Sequence, residues 1–283
     1  MPRRFAQVDV FGALPVSGNP LAVVVDAEGL STDDMQQIAR WTNLSETAFL
    51  LPPTSPEADY RVRIFTLARE LPFAGHPTLG SCHAWLKSGG EPGNPNAIIQ
   101  ECGAGLVPLR RDDQGLAFAA PPLIRSGPVD EAYAGLVAQV LGIGQDDIVA
   151  IEWADNGPGW VAVLLADAKS VLALEPDASP YQGDNSLDIG VVGPYPEGSE
   201  CAFEVRAFFT DERGAIREDP VTGSLNASLA QWLLGSGRAT APYIASQGTC
   251  LGRSGRPRID QDADGTVWVG GSTVTVISGE IDI

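Results

Sequence analysis

Glu46 opens the apolar run Thr47-Ala-Phe-Leu-Leu51, and two further polar residues, His76 and Asp219, each stand directly before a proline. Carboxylate and imidazole are the usual groups with which proteins move protons near neutral pH. A glutamate at this place is either at the solvated end of a strand or in a desolvated pocket. The pocket would raise its pKa toward neutrality, where one carboxyl can accept a proton and give it back. The sequence alone leaves both readings open. Asp219 can be the N-cap of a helix that starts at Pro220, accepting from the N–H groups of its first turn. Histidine is a poor N-cap, so that explanation does not cover His76. Gly75, Gly223 and Ser224 would let a ligand come close to the backbone.

Other groups are weaker candidates. His83 shares a helix with Leu79 and Leu86 and reads as a structural histidine beside a core. Arg63 and Arg206 recur on the polar side of their strands, where they are solvated, pair with acids or orient a substrate. Lys87 and Lys169 are the only lysines, which leaves few candidates for a Schiff base. Cys82, Cys102, Cys201 and Cys250 are widely spaced with no C-x-x-C, so zinc-ligand spacing is missing and they read as reduced thiols. Gly235-Ser-Gly237 matches neither a dinucleotide fingerprint nor a phosphate loop, so no nucleotide cofactor is expected.

The elements that must position these residues follow from periodicity. Gln7 to Phe11 alternates as a strand, Ser17-Gly-Asn-Pro20 reads as a turn and Leu21 to Val25 as a second strand. Ser31, with Asp34 three residues on, is placed to cap a helix reaching Asn43, with Met35, Ile38 and Ala39 on its apolar face. Tyr60 to Thr66 alternates again. The most informative feature is self-similarity at an offset of 143 residues. Val62, Arg63 and Phe65 recur as Val205, Arg206 and Phe208; Pro77, Gly80, Ser81, Ala84 and Leu86 recur as Pro220, Gly223, Ser224, Ala227 and Leu229. On that alignment His76 and Asp219 are equivalent, and each proline takes the first position of a helix. Both helices are apolar on most sides, and strands wrapped round each would bury them.

The expected architecture is therefore α+β, with two pseudo-symmetric domains at 1–119 and 120–271, each a barrel-like sheet around a central helix. The boundary falls near Ala119-Ala-Pro-Pro122, and 272–283 return to the first domain. Helices related by a pseudo-twofold would aim their N-termini at one cleft, where N–H groups and the positive dipole end favour a carboxylate.

Size and charge set further limits. A chain of 283 residues suits two domains better than one core. Hydrophobic content of 44% with 19% charged residues is that of a soluble globular protein, and apolar runs such as Val161 to Ala166 are too short for a membrane span. A formal charge of −18 and a pI near 4.3 repel phosphodiesters and anionic bilayers, so neither nucleic acid nor membrane is an expected partner. Residues 1–10 carry no apolar h-region, and a cytoplasmic location is expected.

Several motifs together resemble the PhzF-like family of phenazine biosynthesis, over nearly the whole chain. They are Gly18-Asn-Pro-Leu-Ala-Val23, Leu44-Ser-Glu-Thr-Ala-Phe49, Arg63-Ile-Phe-Thr66 with Glu70-Leu-Pro-Phe-Ala-Gly-His-Pro-Thr-Leu-Gly80, Glu218-Asp-Pro-Val-Thr-Gly-Ser224, and Gln247-Gly248 with Ser254-Gly-Arg-Pro257. The resemblance implies the diaminopimelate epimerase-like fold and an isomerase that needs no metal or coenzyme. The family's phenazine enzyme shifts a proton along the conjugated system of trans-2,3-dihydro-3-hydroxyanthranilate. By the same resemblance Glu46 is the acid/base, His76 and Asp219 assist it, and Ser45, Gly75, Gly223 and Ser224 contact a small carboxylate-bearing substrate. A homodimer and a role in secondary metabolism are also implied.

Racemases of this fold use two cysteines at the heads of the repeated helices; this chain has His76 and Asp219 there, so two-thiol racemisation is not expected. Leu225-Asn226 stands where the family commonly has Ala-His, and Gly252-Arg-Ser-Gly255 alters a Gly-Arg-Pro segment; both would reshape the pocket. The expectation is a cofactor-independent isomerase. Its rivals are a non-enzymatic small-molecule-binding protein of the same fold and a cofactor-free epimerase with Asp219 or His76 as second base.

Overall fold

The computed structural model describes residues 2–94, 97–181, 183, 186–211 and 214–283. The first elements are β1 (Pro2–Val10), β2 (Asn19–Val24), α1 (Thr32–Thr42), β3 (Thr47–Leu51), β4 (Tyr60–Phe65), β5 (Glu70–Leu71), α2 (Gly75–Lys87), β6 (Ala97–Cys102), β7 (Gly105–Asp112) and β8 (Gly115–Ala119). Next come β9 (Arg125–Pro128), α3 (Glu131–Leu141), β10 (Ile148–Asp155), β11 (Val161–Leu165), α4 (Ala168–Leu172), β12 (Asp188–Pro194), β13 (Phe203–Thr210) and β14 (Ile216–Asp219). The chain ends with α5 (Gly223–Gly235), β15 (Tyr243–Gln247), β16 (Arg258–Gln261), β17 (Val267–Gly271) and β18 (Thr273–Asp282). It divides into two compact units, Met1–Ala119 with Trp268–Ile283, and Ala120–Val267.

In the first unit the sheet runs β18-β1-β2-β3-β4-β6-β7-β8-β17, with β5 also on β4. The chain then steps from β17 to β18 through Ser272, so the sheet curls round α2, which packs on β1, β2, β3, β4, β8 and β18. The return to this unit begins at Trp268, four residues before the expected 272, because Trp268–Gly271 pairs with Leu116–Ala119. Asn19 and Pro20 are not a turn but the start of β2, opposite Val10 and Asp9. Pro20 is tolerated because β3 pairs only from Ala22 onward, so no ladder partner asks for its missing N–H. Helix α1 has the expected Ser31–Asp34 capping box and buries Met35, Ile38 and Ala39 against Phe49 and Phe65.

In the second unit β9-β10-β11-β12-β13 form a sheet, β14 and β15 both pair with β13, and β16 pairs with β15. Strand β11 is apolar at every position because both faces are covered. Ala162 and Leu164 meet Leu225, Leu229 and Trp232 of α5, while Val161, Val163 and Leu165 join Val137 and Val140 of α3 and Val171 of α4.

The two units repeat one connectivity: strand, antiparallel short strand, helix, parallel strand (β4-β5-α2-β6 and β13-β14-α5-β15). The offset of 143 holds in β4 and β13, where Phe65 and Phe208 each pair with a glutamate, Glu70 and Glu218. It becomes 148 in the helices, which start at Gly75 and Gly223, because the second hairpin connection is longer. The sequence alignment is therefore corrected after the strand. The matching motif is Glu-x-Pro-x-x-Gly, Glu70/Pro72/Gly75 against Glu218/Pro220/Gly223, and His76 corresponds to Ser224 rather than to Asp219. Neither proline opens a helix: Pro77 is inside the first turn of α2, and Pro220 precedes Thr222, the N-cap of α5.

Candidate active site

Glu46 stands between two fixed elements. Helix α1 ends on Asn43 in the left-handed conformation, and β3 begins at Thr47, whose hydroxyl lies 2.7 Å from that of Thr42. The Glu46 side chain keeps 16% of its exposure, which selects the partly desolvated reading over the solvated one, and Oε2 lies 3.5 Å from Nε2 of His76. Ser45 beside it is exposed. His76 is the second residue of α2 and is buried; loss of hydration pushes its pKa down to about 3, so the ring is neutral. Its other nitrogen, Nδ1, is 3.3 Å from Nδ2 of the fully buried Asn19.

Asn19 is held in turn by its pairing with Val10 and by the turn before it. The buried Asp9 carboxylate accepts from the N–H groups of Ser17 (3.2 Å) and Gly18 (3.0 Å). Only glycine fits at 18, since a Cβ there would strike the carbonyl of Val10.

Helices α1, α3 and α4 receive N-terminal side-chain caps from Ser31, Asp130 and Asp167. Helices α2 and α5 receive none, although Thr222 is a good capping residue. Its hydroxyl is turned instead to Asp219, donating to Oδ2 at 2.5 Å. The cause is a buried circuit. Gln247 Nε2 donates to Thr222 Oγ1 (3.0 Å) and to the Asp219 carbonyl (3.3 Å). Gln247 Oε1 accepts from the Thr222 N–H (3.0 Å) and from Asn226 Nδ2 (2.7 Å), which also donates to the Thr222 carbonyl (2.9 Å). Gly248 at φ +88° and Gly255, bridged to Gln247, pack this strand end against Pro220 and Val221. Asp219 is thus the last residue of β14 and not an N-cap. Gly223 and Ser224 begin α5, and Ser224 is tied to Trp160, whose Nε1 donates to Oγ at 3.3 Å.

The structure joins Glu46 and His76 within the first unit, and Asp219, Gly223 and Ser224 lie along one turn of the second. Sequence reasoning missed Asn19, Thr222, Asn226 and Gln247 as site residues. Asn19 and Gln247 lie in motifs that carry the resemblance, but nothing in a single sequence says that their amides are buried against His76 and Thr222. His83 is structural, its ring nitrogens set against the hydroxyls of Thr275 (2.9 Å) and Thr273 (3.1 Å) of β18. Arg63 and Arg206 pair with Glu70 (2.6 Å) and Glu218 (2.8 Å); Arg206 is buried rather than on a polar face. All four cysteines are free thiols, and burial in mid-helix pushes Cys82 up to about 12. Among the described residues no cluster of three or more His, Cys, Asp or Glu is placed to hold a metal.

The sequence profile described as "Phenazine biosynthesis-like protein" matches residues 8–279. Antisense-enhancing sequence 1 of Schizosaccharomyces pombe is 39% identical, with 98% of this chain and 97% of that protein aligned. A trans-2,3-dihydro-3-hydroxyanthranilate isomerase of Pseudomonas chlororaphis is 33% identical over 79% of this chain and 77% of that enzyme. A solved phenazine biosynthesis protein of the PhzF family from Enterococcus faecalis superposes with a TM-score of 0.80 at 26% identity, covering 100% of both chains. With a diaminopimelate epimerase-like α+β fold and these relatives, the chain belongs to the phenazine biosynthesis-like (PhzF) family and is an isomerase of that family.

Proposed function

We propose that this isomerase shifts a proton and a double bond on a small carboxylate-bearing metabolite, a cyclic or unsaturated amino acid of secondary metabolism, without a cofactor. The observation that carries the reading is the half-buried Glu46 carboxylate set 3.5 Å from the neutral ring of His76, at the start of a helix with no side-chain cap. A carboxylate is among the side chains that exchange a proton with carbon, and this one is held beside a fixed ring. Glu46 removes a proton from the carbon next to the double bond. The electron pair moves along the conjugated system, the double bond shifts, and Glu46 returns the same proton to the far carbon on the same face. The uncapped first turn of α2, at Gly75, offers N–H groups and the positive dipole end to the substrate carboxylate. His76 orients a polar substituent of the substrate, with Ser45 beside Glu46 as a further contact.

A single acid/base is favoured because the pair is not duplicated: by strand register Asp188 takes the place of Glu46, while Ser224 replaces His76. The helix heads carry no thiol, and likeness to a hydroxyproline epimerase is one of fold alone, at 12% identity.

The test is NMR in deuterium oxide on trans-2,3-dihydro-3-hydroxyanthranilate and a panel of cyclic unsaturated amino acids, comparing the wild type with Glu46→Gln. The expected result is deuterium incorporation and a moved double bond, reduced by about 10²–10⁴ in the variant. Binding without exchange across the panel would favour a binding protein, and unchanged turnover by Glu46→Gln would remove Glu46 from the chemistry.

A further inference from the structure

We propose that Asn19 is a positioning residue that fixes the tautomer of His76, so that Nε2–H rather than a lone pair faces Glu46. A neutral imidazole has one N–H and one lone pair, and which nitrogen carries the proton is set by what the other one meets. Nδ1 lies 3.3 Å from the Asn19 amide nitrogen, which can only donate, so Nδ1 must be the acceptor and the proton sits on Nε2. The opposite side of the ring requires the same answer. Nε2 is 3.5 Å from a carboxylate oxygen; a hydrogen there attracts Oε2, whereas a lone pair would repel it in surroundings too dry to screen the repulsion.

The amide is itself buried. Asn19 is fully buried at the first position of β2, opposite Val10, and the turn that delivers it is pinned by Asp9 through Ser17 and Gly18. A chain of fixed contacts thus runs from Asp9 through Gly18, Asn19 and His76 to Glu46, all within one unit. It explains why the Gly18-Asn19 pair is needed so far along the chain from Glu46. The consequence for catalysis rests on the proton-shift reading above; the tautomer itself does not.

The two histidines make the test direct. Long-range ¹H–¹⁵N correlation on ¹⁵N-labelled protein reports which ring nitrogen carries hydrogen, and His83→Gln assigns the signals. His76 is expected as the Nε2–H form from about pH 5 to about pH 8. Asn19→Asp replaces a donor with an acceptor and is expected to move the proton to Nδ1, with kcat lowered about tenfold or more and KM changed by less than about threefold. Should the buried aspartate prevent folding, Asn19→Ala gives a mixture of both tautomers instead. A wild-type Nδ1–H form or a doubly protonated ring overturns the proposal, and so does a variant whose tautomer changes with kcat intact. Full turnover in Glu46→Gln would instead sink the proton-shift reading, while the wild-type spectrum still decides the role of Asn19.

Discussion

Oε2 of Glu46 and Nε2 of His76 lie 3.5 Å apart, with the imidazole side chain 4% exposed and the carboxylate 16% exposed. The ring's burial has a measurable cost at low pH. Its pKa falls from an ordinary 6.5 to about 3 because the charged form loses its hydration. Between those values the unfolded chain binds a proton at this ring that the folded chain refuses. The contribution to stability is therefore complete above about pH 6.5 and is progressively lost as the pH falls toward 3. Thermal midpoints of the wild type should drop more steeply over this window than those of His76→Gln; parallel curves would show that the ring titrates normally.

The Asp219 circuit predicts a contrast between two small changes at one position. Thr222→Val removes the hydroxyl that accepts from Gln247 and donates to Asp219, at a cost of about 1–3 kcal/mol for polar groups left buried. Thr222→Ser keeps both bonds and should stay within about 1 kcal/mol of the wild type. Urea denaturation measures both, and equal stabilities would mean that the circuit carries no net energy.

Gly248→Ala should be more damaging than an ordinary surface substitution. The position has φ +88°, and a Cβ would lie 2.5 Å from the carbonyl oxygen of Pro220 and 2.8 Å from Cβ of Arg253. Strain of about 1–3 kcal/mol is expected, and it falls on the segment that holds Asp219. The checks are the denaturation midpoint together with turnover, both of which should fall.

Two ion pairs of similar length should differ sharply. Arg206–Glu218, with side chains 7% and 10% exposed, also ties α4 to the sheet through donors to the carbonyls of Val171 and Leu174. Arg206→Met strands a buried glutamate and should cost about 3–5 kcal/mol. Arg4–Asp26, about half exposed, should lose at most about 1 kcal/mol in Asp26→Ala. Comparable losses at the two sites, measured by denaturation in the same buffer, would contradict the burial argument.

Much of this fold could be read from residues. Ser31 and Asp34 marked the start of α1, Tyr60 to Phe65 alternated as a strand does, and the recurrence of Val-Arg-x-Phe exposed the duplication. Those signals are local, and local sterics and capping enforce them. The alignment of the two helices failed for an equally physical reason: the hairpin between β13 and β14 is longer than its counterpart, and a gap-free match slid past the difference to pair the wrong prolines.

The sequence by itself determined the elements, the repeat and the types of residue able to move a proton, because periodicity, capping and motif chemistry act over a few positions. Tertiary structure alone decided that Glu46 is half-buried beside His76, that Asn19 meets the far side of that ring, and that Gln247 turns Thr222 toward Asp219. Burial and hydrogen-bond direction depend on which distant segments the sheet brings together. Separation along the chain carries no record of them.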